Sequence, residues 1–487
     1  MRGNLDLELL TIGSTILEYQ RQRRVFIVAL NVKEGVERED FKVVLLRNLE
    51  NYKMTNVLLY FLQGHQDMSQ PEMYVLKPYP SYHWHKKSDQ DTYYPPHWRN
   101  MRNKTLITLN GQDPPAGLVY LDANGRYQMN GYMARLIMLF AERFNATLEM
   151  HKSFKFGNML SYRSINELSL KGELDIPMAS SFHSDNTFPQ IQKTVYYEMI
   201  KPFMMVPCPK QLTYREVFAV ILNKYFFGGL VGCYLLLSVI HTVVDFYFDG
   251  LWNFINFILN EKILPGLFGQ AFISSNSPWR SLKIVYLLVS FIGLNIAVLF
   301  GANIKTLFTQ PPYHKYIETH QDLRESPIKI LTDTFYAQVL TPFYGKDSVV
   351  TAPSDTAYLK QKSRFNSSYA YFISSTEWKA LFSRRQQFYK QKQFCIARQI
   401  IPQDFFIYSI LLQKNSPYLE PLNEHILRVH ELGFMEAWQS STFMDMMKLG
   451  NISLFDGYTN LDDQKILTVD DLFWIWMIVV EGCGLGM

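Results

Sequence analysis

The sequence predicts α/β segments on both sides of a helical membrane region. Two long uncharged runs, from Tyr225 to Val244 and from Ile284 to Ile304, are the first observation. The second is that helix and strand patterns precede the first run and follow the second. The third is composition, because only 19% of the 487 residues are charged, against roughly 25% in soluble domains. A membrane protein therefore fits the sequence better than a soluble enzyme.

Residues 1–102 are predicted to form a short N-terminal region with a small α/β unit. Val25–Leu30 and Val57–Leu62 are apolar runs of strand length. The stretch from Tyr82 to Trp98 is rich in histidine, and it is either a metal site or, as such segments more often are, a surface loop. We predict no metal and no cofactor. Residues 1–24 lack the sustained apolar core of a signal peptide. If the polar parts are extracellular, this absence indicates an incomplete gene model, a fragment or an unusual form.

Residues 103–212 are predicted to be the first part of a larger α/β domain. Leu106–Leu109 and Thr147–Met150 have strand character, and between them Gly131–Phe144 places apolar residues at helical spacing. Alternating helix and strand patterns return after the second uncharged run, so residues 305–467 are predicted to be the second part.

The membrane region is assigned to residues 217–304. Each uncharged run contains 20 or 21 residues, and a helix of that length spans roughly 30 Å, the thickness of a bilayer core. The alternative is a pair of buried core helices, which are seldom this long in soluble folds.

The connection between the two runs is apolar but broken by Glu261-Lys262 and by Pro265, Gly266 and Gly269. Irregular backbone at membrane depth is tolerated only where protein or a water-filled cavity surrounds it. A re-entrant pore loop is therefore one interpretation, and an interfacial amphipathic hairpin is the other. Residues 468–487 are predicted to begin a third membrane helix that the end of the chain truncates, because the apolar segment from Leu472 is only 16 residues long.

Four glycosylation sequons support a common side for the polar parts. Two precede the first run and two follow the second, and two crossings return the chain to its starting side. We therefore predict that all four are extracellular and glycosylated: Asn103, Asn145, Asn366 and Asn451.

The four cysteines form no metal-binding spacing. Cys233 and Cys483 lie in apolar runs and are interpreted as packing residues. Cys208 and Cys395 lie in polar parts and are able to pair if those parts are extracellular, although the sequence does not show that they meet.

Several function classes are disfavoured. The net charge is only +4 and there is no basic tract, so nucleic acid is not an expected partner. The chain has no GxSxG, HExxH or phosphate-loop motif, and we predict that it is not an enzyme. It also lacks the TVGYG filter of potassium channels.

Motifs over residues 103–487 resemble those of the insect ionotropic receptors, the chemosensory branch of the ionotropic glutamate receptors. Each motif is short, but their order around an interrupted membrane hairpin makes the set specific. The matching segments are the glycine-opened helix 131–144, Gly172-Glu-Leu-Asp-Ile176, Lys201-Pro-Phe-Met204 before the first membrane run, Ala302-Asn303 with Thr309, and Phe405–Gly433 with Lys414-Asn-Ser-Pro417 and Glu431-Leu-Gly433.

The resemblance implies a bilobed, periplasmic-binding-protein-like ligand domain that is split in sequence by a transmembrane pore hairpin. It further implies a ligand-gated cation channel subunit that binds a small-molecule ligand and assembles with other family subunits, as a hetero-tetramer in the lipid bilayer. The expected location is the plasma membrane of sensory neurons or their dendrites. The alternative is a non-conducting membrane subunit with a ligand-binding or regulatory role.

The chain departs from the family at the two charged ligand anchors. The arginine that holds a ligand carboxylate aligns near Thr187, and the acid that holds the ligand amine aligns near Ser374. A buried carboxylate without a charged partner costs on the order of 2–5 kcal/mol, so we expect a ligand other than glutamate. Thr187 and Ser374 are either ligand contacts or ordinary loop residues.

The same resemblance implies which residues line the ion path. Gln270 lies near the family's pore-loop tip, and either it lines the pore or its amide packs between helices. Ala302, Asn303 and Thr306 are predicted to form the gate. Lys305 beside them is unusual on a cation path, so it either snorkels away or marks a subunit that needs partners to conduct.

Overall fold

The computed structural model divides the chain into two compact units, Met1–Cys208 with Ile317–Asn460, and Pro209–Tyr316 with Leu461–Met487. It describes most of the chain between residues 6 and 449, and beyond that only Phe473, Trp476, Met477 and Val480. The residues before 450 that it leaves out are 1–5, 31, 63–71, 183–191, 214–215, 218–219, 221–223, 251–253, 259, 273–279, 311, 390, 398 and 401–404.

The N-terminal region is a four-stranded sheet covered by two helices. Strands β1 and β2 are parallel, and β3 and β4 extend the sheet in antiparallel fashion. The second helix buries Phe41, Leu45 and Leu49 against the sheet. The two predicted strands are confirmed at their predicted bounds. The elements are α1 (Leu7–Ile16), β1 (Val25–Leu30), α2 (Val36–Asn51), β2 (Val57–Leu62), β3 (Met73–Lys77) and β4 (His83–Lys86).

The next segment is built around one amphipathic helix between two parallel strands. Apolar residues at 3.6-residue spacing put Leu136, Ile137 and Phe140 on one fully buried face. Gly131 before this helix has φ of 100°, and a Cβ there would lie 2.4 Å from the carbonyl oxygen of Ala116, so only glycine fits. The elements are β5 (Lys104–Thr108), β6 (Leu118–Leu121), β7 (Tyr127–Asn130), α3 (Tyr132–Arg143), β8 (Ala146–Met150), α4 (Tyr162–Leu170), β9 (Ser180–Phe182), β10 (Gln192–Lys193), β11 (Glu198–Ile200) and β12 (Pro202–Pro207).

The second unit contains two helices that are long and apolar enough to cross a membrane. The candidate spans are Tyr225–Phe248 and Leu282–Leu307, and most of their surface is exposed in the single chain. Together with the first unit, they confirm a mixed α/β chain with two candidate membrane helices. The helices of this unit are α5 (Lys224–Asp249), α6 (Ile255–Ile258), α7 (Ile263–Leu267) and α8 (Arg280–Thr309).

The chain then returns to the first unit with further α/β structure. Side-chain caps fix several helix starts, as where the Asp333 carboxylate accepts a hydrogen bond from the Tyr336 amide at 2.8 Å. The elements are α9 (His320–Glu325), β13 (Lys329–Thr332), α10 (Thr334–Tyr344), β14 (Val349–Thr351), α11 (Asp355–Ser363), β15 (Tyr369–Ser374), α12 (Ser375–Glu377), α13 (Ser383–Arg385), β16 (Phe394–Ala397), β17 (Phe406–Leu412), α14 (Leu419–Glu431) and α15 (Phe434–Lys448).

Strands that precede the two candidate membrane helices in sequence share sheets with strands that follow them. β12 lies within the five-stranded sheet β14-β13-β15-β12-β16, although every other strand of that sheet follows the membrane helices. Conversely, β17 comes from the later part of the chain, but it pairs with three strands of the earlier part, β9, β10 and β11. A disulfide between Cys208 and Cys395, whose Cα atoms lie 5.0 Å apart, ties the end of β12 to β16. The two sequence halves thus fold as one compact unit.

Candidate functional site

A cavity of about 140 Å³ lies within the first unit, and both sequence halves supply its walls. Residues 111–180 form one wall and residues 333–377 the other, with Tyr408 of β17 added. The lining includes six aromatic and four acidic residues. Its charged residues and one of its serines are Asp113, Asp333, Asp355, Lys362, Glu377 and Ser374.

Lys362 is a buried cation on α11, with only 7% of its surface exposed. Its Nζ donates a hydrogen bond to Oε1 of Glu377 at 2.7 Å. Burial alone would lower the pKa of Lys362, but Glu377, Tyr358 and Asp113 together raise that pKa above its ordinary value. Lys362 therefore stays charged, and Glu377 is its direct partner.

Asp113 brings a second carboxylate to the same lysine from the opposite wall. Burial raises the pKa of the Asp113 carboxyl to about 6, the positive charge of Lys362 lowers it, and the negative charge of Glu377 raises it again. Because Lys362 already donates to Glu377, the negative charge on Asp113 is only partly compensated.

Ser374, one of the two predicted ligand residues, lies on the cavity wall and is 8% exposed. It caps α12 in a reciprocal box, where the Ser374 Oγ accepts from the Glu377 amide at 3.0 Å. The Ser374 amide donates to Oε2 of Glu377 at 2.9 Å. Its polar groups therefore position Glu377. Thr187, the other predicted ligand residue, lies outside the described residues.

A cluster of aromatic rings includes three residues of the cavity lining, Tyr336, Phe372 and Tyr408. Tyr336 of α10 stacks on Phe372 of β15, with ring centroids 5.1 Å apart. Phe182 of β9 contacts Tyr408 and Phe406 of β17 at 5.1 and 5.0 Å, and it approaches Tyr336 at 6.3 Å. These rings join elements from both sequence halves, and those of Tyr336, Phe372 and Tyr408 give the cavity wall apolar, π-rich surface.

Glu198 of β11 is a further buried carboxyl group, with 6% exposure, next to the cavity. Three side chains donate hydrogen bonds to it: Thr376 at 2.5 Å, Gln439 at 3.0 Å and Tyr132 at 3.2 Å. Burial raises its pKa to about 7, against the lowering effect of these donors. Tyr132 also lines the cavity, so Glu198 connects the cavity wall to α12 and α15.

The predicted pore and gate residues lie in the second unit. Gln270 follows α7 and is exposed. Ala302, Asn303 and Thr306 are exposed on α8, where the Thr306 hydroxyl donates to the carbonyl oxygen of Ala302 at 2.9 Å. No hydrogen bond between described residues joins Gln270 to these three. Their assignment to an ion path stays a prediction.

A polar network joins α5 and α8 to the segment between them that contains the predicted pore loop. His241 and Tyr286 are hydrogen bonded through Nε2 and the hydroxyl at 3.0 Å, linking α5 to α8. The Asn260 amide lies 3.3 Å from Nδ1 of His241, and Lys262 donates to Tyr286 at 3.3 Å. Sequence reasoning missed this network. A histidine inside an otherwise uncharged membrane run was the signal that could have found it.

The predicted glycosylation sites differ in their surroundings. Asn103 and Asn145 are exposed and adjacent, since the Asn103 amide donates to the carbonyl oxygen of Asn145 at 2.8 Å. Asn366 is half-buried, and its amide nitrogen donates to Gln361 at 2.8 Å. Asn451 lies outside the described residues.

Other sequence expectations have mixed outcomes. The sulfhydryl of Cys233 is free and its side chain is exposed in the single chain, so no packing role is seen for it there. Cys483 lies outside the described residues. In the histidine-rich stretch, Nε2 of His85 lies 3.4 Å from Asp91. Across the described part of the chain, no group of three or more His, Cys, Asp or Glu side chains is placed to hold a metal ion.

The charged residues of the cavity also escaped sequence reasoning. Glu377 carries a visible signal, because Ser374-Ser-Thr-Glu377 is a capping-box pattern. Asp113 and Lys362 have no such sequence signal, because they are 249 positions apart in sequence (113 and 362). Only the fold brings their charges close enough to interact.

No protein-family model matches the chain, and no curated protein matches it in sequence.

Proposed function

We propose that the chain is a ligand-gated cation channel subunit of the ionotropic receptor type. One observation carries the proposal: the walls of a single cavity come from the two α/β parts that flank the membrane helices in sequence. A ligand that binds between those parts contacts both, and each part continues directly into one membrane helix. In this interpretation the first unit is a bilobed clamp of the periplasmic-binding-protein type.

Gating follows from this arrangement. A ligand that binds the closed clamp better than the open one shifts the clamp toward closure, and closure pulls on the linkers to α5 and α8. The two linkers are hydrogen bonded to each other, from the Leu212 amide to the carbonyl of Pro312 at 2.8 Å and from the His314 amide to the carbonyl of Lys210 at 3.0 Å. This pairing favours joint movement of both helices, which opens the gate at Ala302, Asn303 and Thr306.

We further propose a chemosensory tuning subunit that glutamate does not gate. It assembles with other subunits of the family in the plasma membrane of sensory neurons or their dendrites. The described cavity lining includes no arginine to hold a ligand carboxylate, which supports a ligand other than glutamate.

A non-conducting binding subunit is the second candidate. Lys305 favours it, because this exposed cation lies on α8 between the proposed gate residues Asn303 and Thr306. A fixed positive charge at that point repels permeating cations.

Voltage clamp in a heterologous cell tests the channel, with and without a broadly expressed family co-subunit. We expect cation current only in the co-expressed case, and we expect Gln270→Glu and Gln270→Arg to change divalent permeation or block in opposite directions. Asn295, whose side chain donates back to its own helix at 2.7 Å, provides the control Asn295→Gln. Co-expressed current that ignores both Gln270 variants would remove the pore-lining assignment, and the absence of any current would favour the non-conducting subunit.

A further inference from the structure

The N-terminal region contains a second cavity, with a volume of about 300 Å³. Its lining comes from β3, from β4 and from residues 91–102, which lead into β5. Val75 and His85 of the lining lie directly opposite each other in the pairing of β3 with β4. The end of the 91–102 segment is fixed, because the Met101 amide donates a hydrogen bond to the carbonyl oxygen of Phe144 at 2.7 Å. The lining residues are therefore held by a paired sheet and an anchored segment.

Positive charge predominates in this lining. Its lysine and arginine residues are Lys77, Arg99 and Arg102, and its one acidic residue among those described is Asp91. The Asp91 carboxylate accepts hydrogen bonds from the Ser88 amide at 2.9 Å and from the Ser88 hydroxyl at 2.7 Å, and these bonds hold the pKa of Asp91 below its ordinary value. Asp91 is therefore ionised and offsets one cation, so the lining keeps a net charge of +2 when its histidines are counted as neutral.

Arg99 and Arg102 supply the positive charge that Asp91 does not offset. Lys77 is the cation that acts on Asp91, because its charge helps to lower the pKa of that carboxyl group. Both arginines are exposed, and within the described part of the chain neither guanidinium group donates a hydrogen bond or forms an ion pair. Arg99 contacts only the ring of Trp98, whose centroid is 5.8 Å away. The N–H groups of both arginines are therefore available to a ligand.

His97 is half-buried in the same lining. Burial, with smaller contributions from Lys77, Arg102 and His83, lowers its pKa to about 4. The imidazole is therefore neutral at neutral pH and keeps one N–H donor. Because Lys77 and Arg102 both act on this one ring, their charges act on the same cavity. A metal cation is disfavoured there, whereas an anion gains attraction from both.

A phosphate group fits this set of donors. It carries about −1.5 to −2 charges at neutral pH and three acceptor oxygens, which matches the net charge of the lining. Arginine donates two parallel hydrogen bonds to phosphate oxygens, whereas lysine acts as a point charge. Val75, Tyr79 and Pro95 add apolar surface to the lining, and the volume of about 300 Å³ is at the lower end of the range for small-molecule sites. The cavity therefore also accommodates a small organic group attached to the phosphate.

We infer that this cavity binds a phosphate group, free or as the monoester of a small organic molecule, through Lys77, Arg99 and Arg102. The apolar part of the lining contacts the organic group of a monoester. The inference goes beyond the proposed function and does not rest on it, because the cavity is lined wholly by residues 75–102 and lies apart from the cavity between the two α/β parts.

Isothermal titration calorimetry tests the inference on the purified full chain in phosphatidylcholine nanodiscs, at neutral pH and constant ionic strength. The probes are inorganic phosphate, phenyl phosphate and benzoate, which shares the phenyl ring but carries one charge on a planar carboxylate. We expect both phosphate probes to bind, and benzoate to bind roughly tenfold more weakly than phenyl phosphate. Tighter binding of phenyl phosphate than of inorganic phosphate would identify a monoester as the ligand, and equal affinities would identify the free ion.

Two variants locate the phosphate group. Arg99→Gln and Arg102→Gln should each weaken phenyl phosphate binding about tenfold, because each removes a charged pair of donors. Both side chains are exposed, so neither change disturbs a packed core. The matched control is Arg47→Gln, which removes an exposed arginine of α2 outside the cavity and should leave the affinity unchanged.

Three results would overturn the inference. The first is the absence of binding of both phosphate probes to the wild-type chain. The second is benzoate binding as tight as that of phenyl phosphate, which would show that the site does not select the phosphate group. The third is phosphate binding that is unchanged in the double variant Arg99→Gln/Arg102→Gln, which would place the ligand elsewhere on the chain.

Discussion

The Glu198 carboxyl group is held by three donors but is too deeply buried to ionise easily. Its pKa is raised by burial to about 7, whereas a carboxyl in the unfolded chain ionises near its ordinary value of 4.5. As pH rises from about 4.5 to about 7, the unfolded chain loses this proton first, and the folded state becomes relatively less stable. Acidification over that window therefore stabilises the fold through Glu198.

We predict that Glu198→Gln flattens the pH dependence of unfolding between pH 5 and 8. Glutamine has the same shape and does not titrate. Its carbonyl oxygen can accept from Thr376 and Gln439, while its amide nitrogen donates to the Tyr132 hydroxyl. At pH 8 the free energy of unfolding of the variant should therefore exceed that of the chain with ionised Glu198 by on the order of 2 kcal/mol. Thermal unfolding of the full chain at several pH values measures this. Glu436→Gln, an exposed change on α15, is the control.

Comparison between variants is needed because other groups titrate in the same window. Burial lowers the pKa of His425 to about 4, so His425 contributes stability that is lost as pH falls below about 6.5. The resulting change of stability with pH is opposite in sign to the change caused by Glu198. It is the same in the wild type, Glu198→Gln and Glu436→Gln. Identical pH profiles for wild type and Glu198→Gln would show that Glu198 does not titrate in the window.

At the residue scale, sequence reasoning found one cavity residue and missed its chemistry. Ser374 is predicted to be a ligand residue from the family resemblance, and it does line the cavity. Its hydroxyl, however, caps α12. The charges come from Asp113, Lys362 and Glu377, which belong to a loop and two helices with no shared motif. A local sequence pattern does not show which side chains come close together when they are 200 or more residues apart. Such a cluster can therefore be identified only from the folded structure.

The short helix α7 packs against α8 through two glycines. A Cβ at Gly293 would lie 1.8 Å from the carbonyl oxygen of Gly266, which is closer than any atoms pack. The contact brings the α7 backbone directly onto α8 and buries Ile263, Leu267 and Val289. Close backbone approach through small residues is how helices associate in lipid, where the hydrophobic effect gives no drive.

We predict that Gly293→Ala separates α7 from α8 and destabilises the predicted pore loop. The added methyl forces a backbone shift, with an expected cost of about 1–3 kcal/mol. Gly301→Ala is the matched control on the same helix, because nothing lies within 4 Å of its Cβ position, and a helical Gly-to-Ala change is stabilising by about 1 kcal/mol. Thermal unfolding in nanodiscs measures both, and equal midpoints for the two variants would contradict the packing argument.

At the element scale the sequence was informative wherever periodicity was long or regular. The helix predicted over Gly131–Phe144 forms at Tyr132–Arg143, because its apolar face matches the helical period. The strand predicted at Thr147–Met150 begins one residue earlier, at Ala146. Strands of two to four residues, such as β10 and β14, carry too few side chains for any period, and pairing partners alone create them.

At the scale of the whole molecule, the exchange of strands between sequence halves escaped prediction. Placing β12 between β15 and β16 requires pairing across more than 160 residues, from Met205 to Tyr371. Neither strand's own sequence specifies that partner, since a pleated face accepts many neighbours. The prediction of two candidate membrane helices between α/β segments is confirmed, because charge-free runs of membrane length are a signal in themselves.

The same arrangement makes a prediction about sidedness. β12 and β16 are in one sheet and their ends are joined by a disulfide, so the segments that carry Asn145 and Asn366 fold together and face one compartment. A disulfide and two sequons in one folded unit fit an oxidising, extracellular compartment. We predict that both asparagines are glycosylated in surface-labelled protein, while an epitope inserted at exposed Gly250, between the two candidate spans, is reached only after permeabilisation.

Matched variants separate glycan loss from structural damage. Thr147→Ala and Ser368→Ala each abolish a sequon but keep the asparagine, including the Asn145 hydrogen bond to Asn100 at 2.9 Å. Each should lower the apparent mass on a gel, and enzymatic deglycosylation should make all variants co-migrate. Asn103 and Asn145 immediately precede the paired strands β5 and β8 and are hydrogen bonded through their backbones. A glycan on one therefore hinders addition to the other, and Thr105→Ala should increase occupancy at Asn145. Modification of only one of Asn145 and Asn366, or an epitope at Gly250 that is labelled on intact cells, would show that α5 and α8 do not form a two-crossing hairpin.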